Sequence, residues 1–144
     1  MSRLSTQTEY LADEAATLAF GAALAGRLAP DALVLLHGQL GAGKTTLVRG
    51  ILRAFGHTGA VKSPTYTLLE PYELADRTVY HFDFYRIGDS EELDFIGIDE
   101  LLDADAIKLI EWPERAGGRL PPAQVEIFLR DEGNGRRIEV SFHA

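Results

Sequence analysis

The sequence predicts an α/β domain built on a mixed β-sheet, and three features predict it. A continuous apolar run, Ala32-Leu33-Val34-Leu35-Leu36, passes at once into a glycine-rich loop and then into an amphipathic stretch, the order strand, loop, helix. Strand-like segments follow at 66–72, 78–84 and 107–110, with one helical stretch among them. The C-terminal segment reads as a β-hairpin. A strand, a helix and then several strands is the pattern of a domain whose sheet holds both parallel and antiparallel pairs.

Taken in order, a short strand is expected around Leu4–Thr8. Asp13 has the side chain of a helix N-cap, and a helix is expected from there to about Leu28. Leu11, Ala15, Leu18, Ala22, Ala25 and Leu28 would share one face, and Pro30 and Asp31 end the helix. The run at 32–36 lacks polar alternation, which marks a strand covered on both faces. Thr45–Ala54 reads as the helix after the loop, with Leu47, Ile51 and Leu52 inward and Gly56 closing it. Lys62-Ser63-Pro64-Thr65 is expected to be an extended turn, because the Pro64 ring disfavours helical geometry at Ser63.

Strands Tyr66–Tyr72 and Thr78–Phe84 follow, then a helix over Glu91–Leu102 interrupted at Gly97. Strand Ile107–Ile110 is ended by Glu111-Trp112-Pro113. Val125–Leu129 and Ile138–Phe142 are expected to pair as the hairpin, with Asp131-Glu132-Gly133-Asn134-Gly135 supplying the turn. No internal repeat or low-complexity stretch divides the chain, so a single domain over 1–144 is expected.

Composition narrows the function classes. At 144 residues the chain is long enough for one sizeable core. The absence of cysteine excludes disulfide frameworks, thiolate zinc sites and thiol catalysis. A net charge of −8 argues against a direct grip on nucleic acid, which draws on clustered Lys and Arg. Any role near RNA or DNA is expected through a partner. The first residues lack the basic-then-apolar order of a secretion signal, and no apolar stretch approaches the roughly 20 residues that span a bilayer. A cytoplasmic protein without membrane contact is expected.

The chemistry starts from Gly38-Gln39-Leu40-Gly41-Ala42-Gly43-Lys44-Thr45, the residue pattern of a phosphate-binding loop. Its glycines let successive backbone N–H groups converge on phosphate oxygens, and the following helix N-terminus adds partial positive charge. Lys44 is placed to reach the β- and γ-phosphates, and the Thr45 hydroxyl to take one position on Mg²⁺. ATP with Mg²⁺ is the expected ligand, and hydrolysis the expected reaction. A GTPase reading lacks an Asn-Lys-x-Asp signature, and a transporter ATPase lacks its Ser-Gly-Gly linker motif.

Thr45 alone cannot fix a hydrated Mg²⁺, so a carboxylate on a neighbouring strand is required. Asp83, within Val79-Tyr80-His81-Phe82-Asp83-Phe84-Tyr85-Arg86, and Glu111, directly after Ile107–Ile110, are the candidates. Either can ligate the metal while the other orients the attacking water. A lone carboxylate at a strand end is ordinarily just solvated; the loop is what singles these two out. Ser63-Pro64-Thr65 lies where nucleotide switches often set a hydroxyl against the γ-phosphate, though a plain proline turn suits the same residues. The four histidines show no metal-ligand spacing, so structural roles are expected of them. The acids between Asp89 and Glu100 read as a solvated helix face, and Trp112 as packing or an interface anchor.

Four segments carry a family resemblance: Gly41-Ala42-Gly43-Lys44-Thr45-Thr46, Lys62-Ser63-Pro64-Thr65-Tyr66-Thr67-Leu68, His81-Phe82-Asp83-Phe84-Tyr85-Arg86 and Ile110-Glu111-Trp112-Pro113. In this order and spacing they resemble the TsaE (YjeE) family, the small P-loop ATPases of bacterial tRNA threonylcarbamoyladenosine (t6A) synthesis, over nearly the whole chain. The phosphate loop is shared with many families, whereas the other three segments together are specific. The resemblance implies a P-loop NTPase-like fold and a cytoplasmic ATPase working with TsaB and TsaD. In that picture TsaD modifies adenosine 37 of tRNAs that read codons beginning with A, and the ATP cycle supports repeated turnover of the complex. The ATPase would meet tRNA only indirectly. The resemblance further implies Thr45 and Glu111 as Mg²⁺ ligands, Asp83 as the acid near the γ-phosphate and Thr65 as a switch residue. It also implies nucleotide contacts from Leu40, Gly41, Ala42, Gly43, Lys44, Thr45 and Thr46, with Glu14 and Gly135 beside the nucleotide.

Two other readings use the same loop. A small-molecule kinase would need a lid whose arginines neutralise the transferring phosphoryl group, and Arg115 and Arg119 form a brief candidate. A nucleotide-gated binding module would use ATP to order a surface and hydrolysis only to reset it.

Overall fold

A computed structural model of the chain describes residues 4–62, 64 and 67–143. Strand β1 (Leu4–Leu11) runs past the expected end at Thr8, so Leu11 is buried in the sheet rather than on the next helix. Helix α1 (Glu14–Ala25) starts where expected: the Asp13 carboxylate accepts the Ala16 N–H at 2.8 Å. It closes earlier than Leu28, with Gly26 as C-cap and the Arg27 N–H bonded back to Leu24 O at 2.9 Å.

Strand β2 (Leu33–His37) delivers the glycine-rich loop, and α2 (Lys44–Ala54) follows it. Gly56, at φ 101°, lets the chain double back after α2, so that the Gly56 and His57 N–H groups bond to Arg53 O and Leu52 O at 3.0 Å. Helices α1 and α2 pack backbone to backbone. A Cβ on Gly21 would lie 2.5 Å from Leu47 O, and one on Gly50 would lie 2.4 Å from Leu18 O. The inward face of α1 is therefore Thr17, Gly21, Leu24 and Ala25, whereas Ala15 and Ala22, expected inward, are exposed. Contact that close selects small residues rather than an apolar stripe, and so overrides the expected phase.

Strand β3 (Leu69–Glu73) is shorter than the expected 66–72, because Leu68 at φ 68° interrupts extended backbone; Tyr66 lies outside the described residues. Strand β4 (Thr78–Asp83) follows, then a 3-10 turn over Ser90–Ile96 and helix α3 (Ile98–Leu102), separated at Gly97 as expected. Strand β5 (Ile107–Glu111) includes Glu111 itself. Strands β6 (Val125–Glu132) and β7 (Gly135–His143) form the hairpin, longer on both arms than expected, with only Gly133-Asn134 between them.

The sheet has seven strands in the order β1-β7-β6-β2-β5-β4-β3. The strands β6, β2, β5 and β4 run parallel, while β1, β7 and β3 are antiparallel to their neighbours. Pro71 sits in the edge strand β3, where its missing N–H costs no ladder bond. Helices α1 and α2 cover one face over Val34, Leu36, Val79, Ile107 and Leu109. The 3-10 turn and α3 cover the other over Leu33, Phe82 and Ile110. Side chains alternate along strands, so His81 and Asp83 share the α2 side with Val79, as Glu111 does with Leu109. No described helix is long and apolar enough to cross a membrane.

Candidate functional site

The C-terminal ends of the central parallel strands form the site, the position at which open α/β sheets bind ligands. The loop leaves the end of β2, and Asp83 and Glu111 are paired residues at the ends of β4 and β5. The register also pairs Leu36 with Glu111, so Glu111 stands next to the strand that feeds the loop and Asp83 one strand further out. Gly43 is the N-cap of α2 at φ 101°, a conformation that a side chain would strain, and the Leu47 N–H returns to its carbonyl at 2.9 Å. The N–H groups of the first helical turn lack intrahelical partners and so open toward the cleft.

Lys44 is only 4% exposed. Its Nζ donates to Gly38 O at 2.5 Å and lies 4.1 Å from the centre of the Trp112 ring. Burial lowers the Lys44 pKa below its usual value, and the nearby carboxylates of Glu111, Asp83 and Glu114 oppose that shift. Trp112 has a left-handed backbone, φ 56° and ψ 50°, immediately before Pro113. Both the indole and the following proline disfavour that geometry, at a cost on the order of 1–3 kcal/mol. Its ring is held between Lys44 and Tyr85, whose centroid is 5.0 Å away.

Asp83 and Glu111 are each 3% exposed. Asp83 Oδ1 accepts the Tyr85 N–H at 2.9 Å. Glu111 Oε2 accepts from the Thr45 hydroxyl at 3.3 Å and from His81 Nε2 at 2.6 Å. Thr45 and Glu111 thus place an all-oxygen pair with one carboxylate at the start of α2, which suits Mg²⁺, an ion that fills its other positions with water and phosphate. Among the described residues no group of three or more His, Asp or Glu side chains forms a dedicated metal cage.

Leu40, Gly41, Gly43, Lys44, Thr45, Thr46, Asp83 and Glu111 all line one cavity of about 220 Å³, together with Trp112 and Arg136. Ala42 is buried beneath the loop instead. Glu14 and Gly135 line a second cavity of about 160 Å³ that shares Gly43, Thr46 and Arg136 with the first. Of the expected site residues, only Thr65 lies outside the described residues. Larger grooves of about 330 Å³ beside α1 and about 310 Å³ beside Phe128 carry no comparable set of buried titratable groups.

Sequence reasoning missed Arg136 and His81. Arg136 reaches across from β7, where it pairs with Asp131, to lie against Gly43. His81 is wholly buried against Glu111; its period-two relation to Asp83 was the signal available. Arg119 is tied to Asp94, and Arg115 lies 5.8 Å from the Trp112 ring, so neither lines the loop cavity.

The profile of the family described as "Threonylcarbamoyl adenosine biosynthesis protein TsaE" matches residues 11–138. A Haemophilus influenzae protein named tRNA threonylcarbamoyladenosine biosynthesis protein TsaE is 45% identical over 142 residues, covering 95% of this chain and 90% of its own. A Bacillus subtilis protein of the same name is 35% identical over 115 residues, covering 80% of this chain and 71% of its own. The crystal structure of Bacillus subtilis YdiB superposes with a TM-score of 0.78 at 26% identity, over 99% of this chain and 87% of that one. With its P-loop NTPase-like α/β fold, this chain belongs to the TsaE family.

Proposed function

We propose that this chain is a Mg²⁺-dependent ATPase that acts with TsaB and TsaD in the threonylcarbamoyl modification of adenosine 37 in tRNA, as one cytoplasmic domain. The observation that carries the reading is the convergence of Lys44, Thr45, Asp83 and Glu111 on one cavity at the ends of β2, β4 and β5. The family membership and the names of its relatives support the tRNA pathway.

In this reading the loop N–H groups and Lys44 hold the phosphate chain of ATP. Lys44 exchanges the Gly38 carbonyl for phosphate oxygen, a favourable trade for an ammonium already stripped of water. Thr45 and Glu111 would hold Mg²⁺, which supplies charge stabilisation across the β- and γ-phosphates. Asp83, anchored by the Tyr85 N–H, orients the attacking water and takes its proton. Thr65 acts as the switch hydroxyl. Glu14 and Gly135, beside the cavity that adjoins the loop, contact the nucleoside end. The net charge of −8 favours meeting tRNA through the partner proteins rather than directly.

The test is made in cells. With the resident copy depleted, the unaltered chain is expected to sustain t6A and Lys44→Ala to lose it. Undiminished t6A with Lys44→Ala would refute the assignment.

A further inference from the structure

Among the described residues, His81 Nδ1 is the one buried side-chain nitrogen or oxygen without a hydrogen-bond partner. The ring is fully buried in β4, on the same face as Asp83. Its Nε2 lies 2.6 Å from Glu111 Oε2, a separation that requires a proton between them. A carboxylate accepts, so Nε2 carries the hydrogen. Thr45 Oγ1 donates to the same oxygen, whereas the described residues give Glu111 Oε1 no hydrogen bond. One oxygen of the carboxylate is thereby pinned and the other left available.

We infer that His81 is a positioning residue: by holding Oε2, it fixes the rotation of the Glu111 carboxylate for a divalent cation bound between Glu111 and Thr45. The inference rests on the reading of Glu111 as the magnesium ligand. It requires a hydrogen bond and no proton transfer. The register supports it, because pairing of His81 with Leu109 and Asp83 with Glu111 locks the ring one same-face step from the carboxylate. A carboxylate held this way does not lose rotational freedom when the cation arrives, and losing such a support ordinarily weakens metal binding about 10- to 100-fold.

Two amide variants separate reach from polarity. In His81→Gln the amide nitrogen extends about as far as Nε2 does, whereas in His81→Asn it stops short. The probe is Mn²⁺ binding to the protein–ADP complex, followed by electron paramagnetic resonance, with ADP affinity in chelator as the companion measurement. His81→Gln is expected to bind Mn²⁺ close to the unaltered chain and His81→Asn about 10- to 100-fold more weakly, with metal-free ADP affinity the same in all. Equal Mn²⁺ affinities for the Asn and Gln variants would overturn the inference. Glu111→Gln tells the two levels apart: if it too keeps full Mn²⁺ affinity, the ligand reading itself falls. The unaltered chain gives a check that does not depend on a variant folding. With labelled histidine and bound ADP, the His81 Nε2 proton resonance is expected to move when Mg²⁺ is added, and an unmoved resonance would contradict the inference.

Discussion

Gly21→Ala tests whether the helix crossing behind the phosphate loop is set by backbone contact. The new Cβ would lie 2.5 Å from Leu47 O, 3.2 Å from Ile51 N and 3.3 Å from Gly50 Cα. All are main-chain atoms of α2, so no side chain can rotate away. Ordinary contact begins near 3.4 Å, and the helices must separate by about 0.9 Å. Overpacking of this kind costs about 1–3 kcal/mol, while alanine regains up to about 1 kcal/mol of helix propensity over glycine. A net loss of about 1–2 kcal/mol is expected, a fall in Tm of roughly 3–8 °C, read by thermal denaturation. Because α2 begins with Lys44 and Thr45, nucleotide affinity should fall as well. Gly26→Ala is the control: its Cβ would meet only Ala23 O at 3.7 Å, at φ −68°, so stability should hold or rise slightly. A Gly21→Ala protein that melts at or above the unaltered chain would refute the reasoning.

The remaining predictions concern the site and the hairpin beside it. Asp83→Asn keeps an acceptor for the Tyr85 N–H, so it should fold and bind ATP while hydrolysis falls by about two orders of magnitude or more, as loss of a catalytic base does. Burial lowers the Lys44 pKa from 10.5, and bound phosphate favours the charged form, so ATP affinity by calorimetry should be level at lower pH and fall as pH rises through that lowered value. The stability of the free protein should move the other way there, rising with pH, because the unfolded chain holds this proton more tightly; Lys44→Ala should remove both trends. A Cβ on Gly135 would lie 2.4 Å from Leu11 O and 2.6 Å from the Tyr10 hydroxyl, so Gly135→Ala should destabilise the chain by about 1–3 kcal/mol in denaturant melts.

What could be read from the sequence was what is local. The apolar run, the glycine-rich loop and the amphipathic helix specify β2, the loop and α2 within one continuous segment, and the loop's need for a carboxylate singled out Asp83 and Glu111 among the acids at strand ends. The face of α1 was misplaced because Gly21 and Gly50 carry no apolar side chain for a pattern to register; their role exists only once the two helices touch. Arg136 was missed for a related reason. It reaches Gly43 because β6 sits between β7 and β2, and strand order across a sheet is decided by long-range pairing. The contact of His81 with Glu111 depends on the parallel register of β4 on β5, which no local spacing encodes.

The central claim is tested most directly by steady-state ATP hydrolysis with Mg²⁺, measured for the purified chain alone and with the TsaB–TsaD pair, with Lys44→Ala as the blank. The account predicts slow hydrolysis alone, strong stimulation by the pair, and neither with Lys44→Ala. Tight ATP binding without stimulation would contradict it.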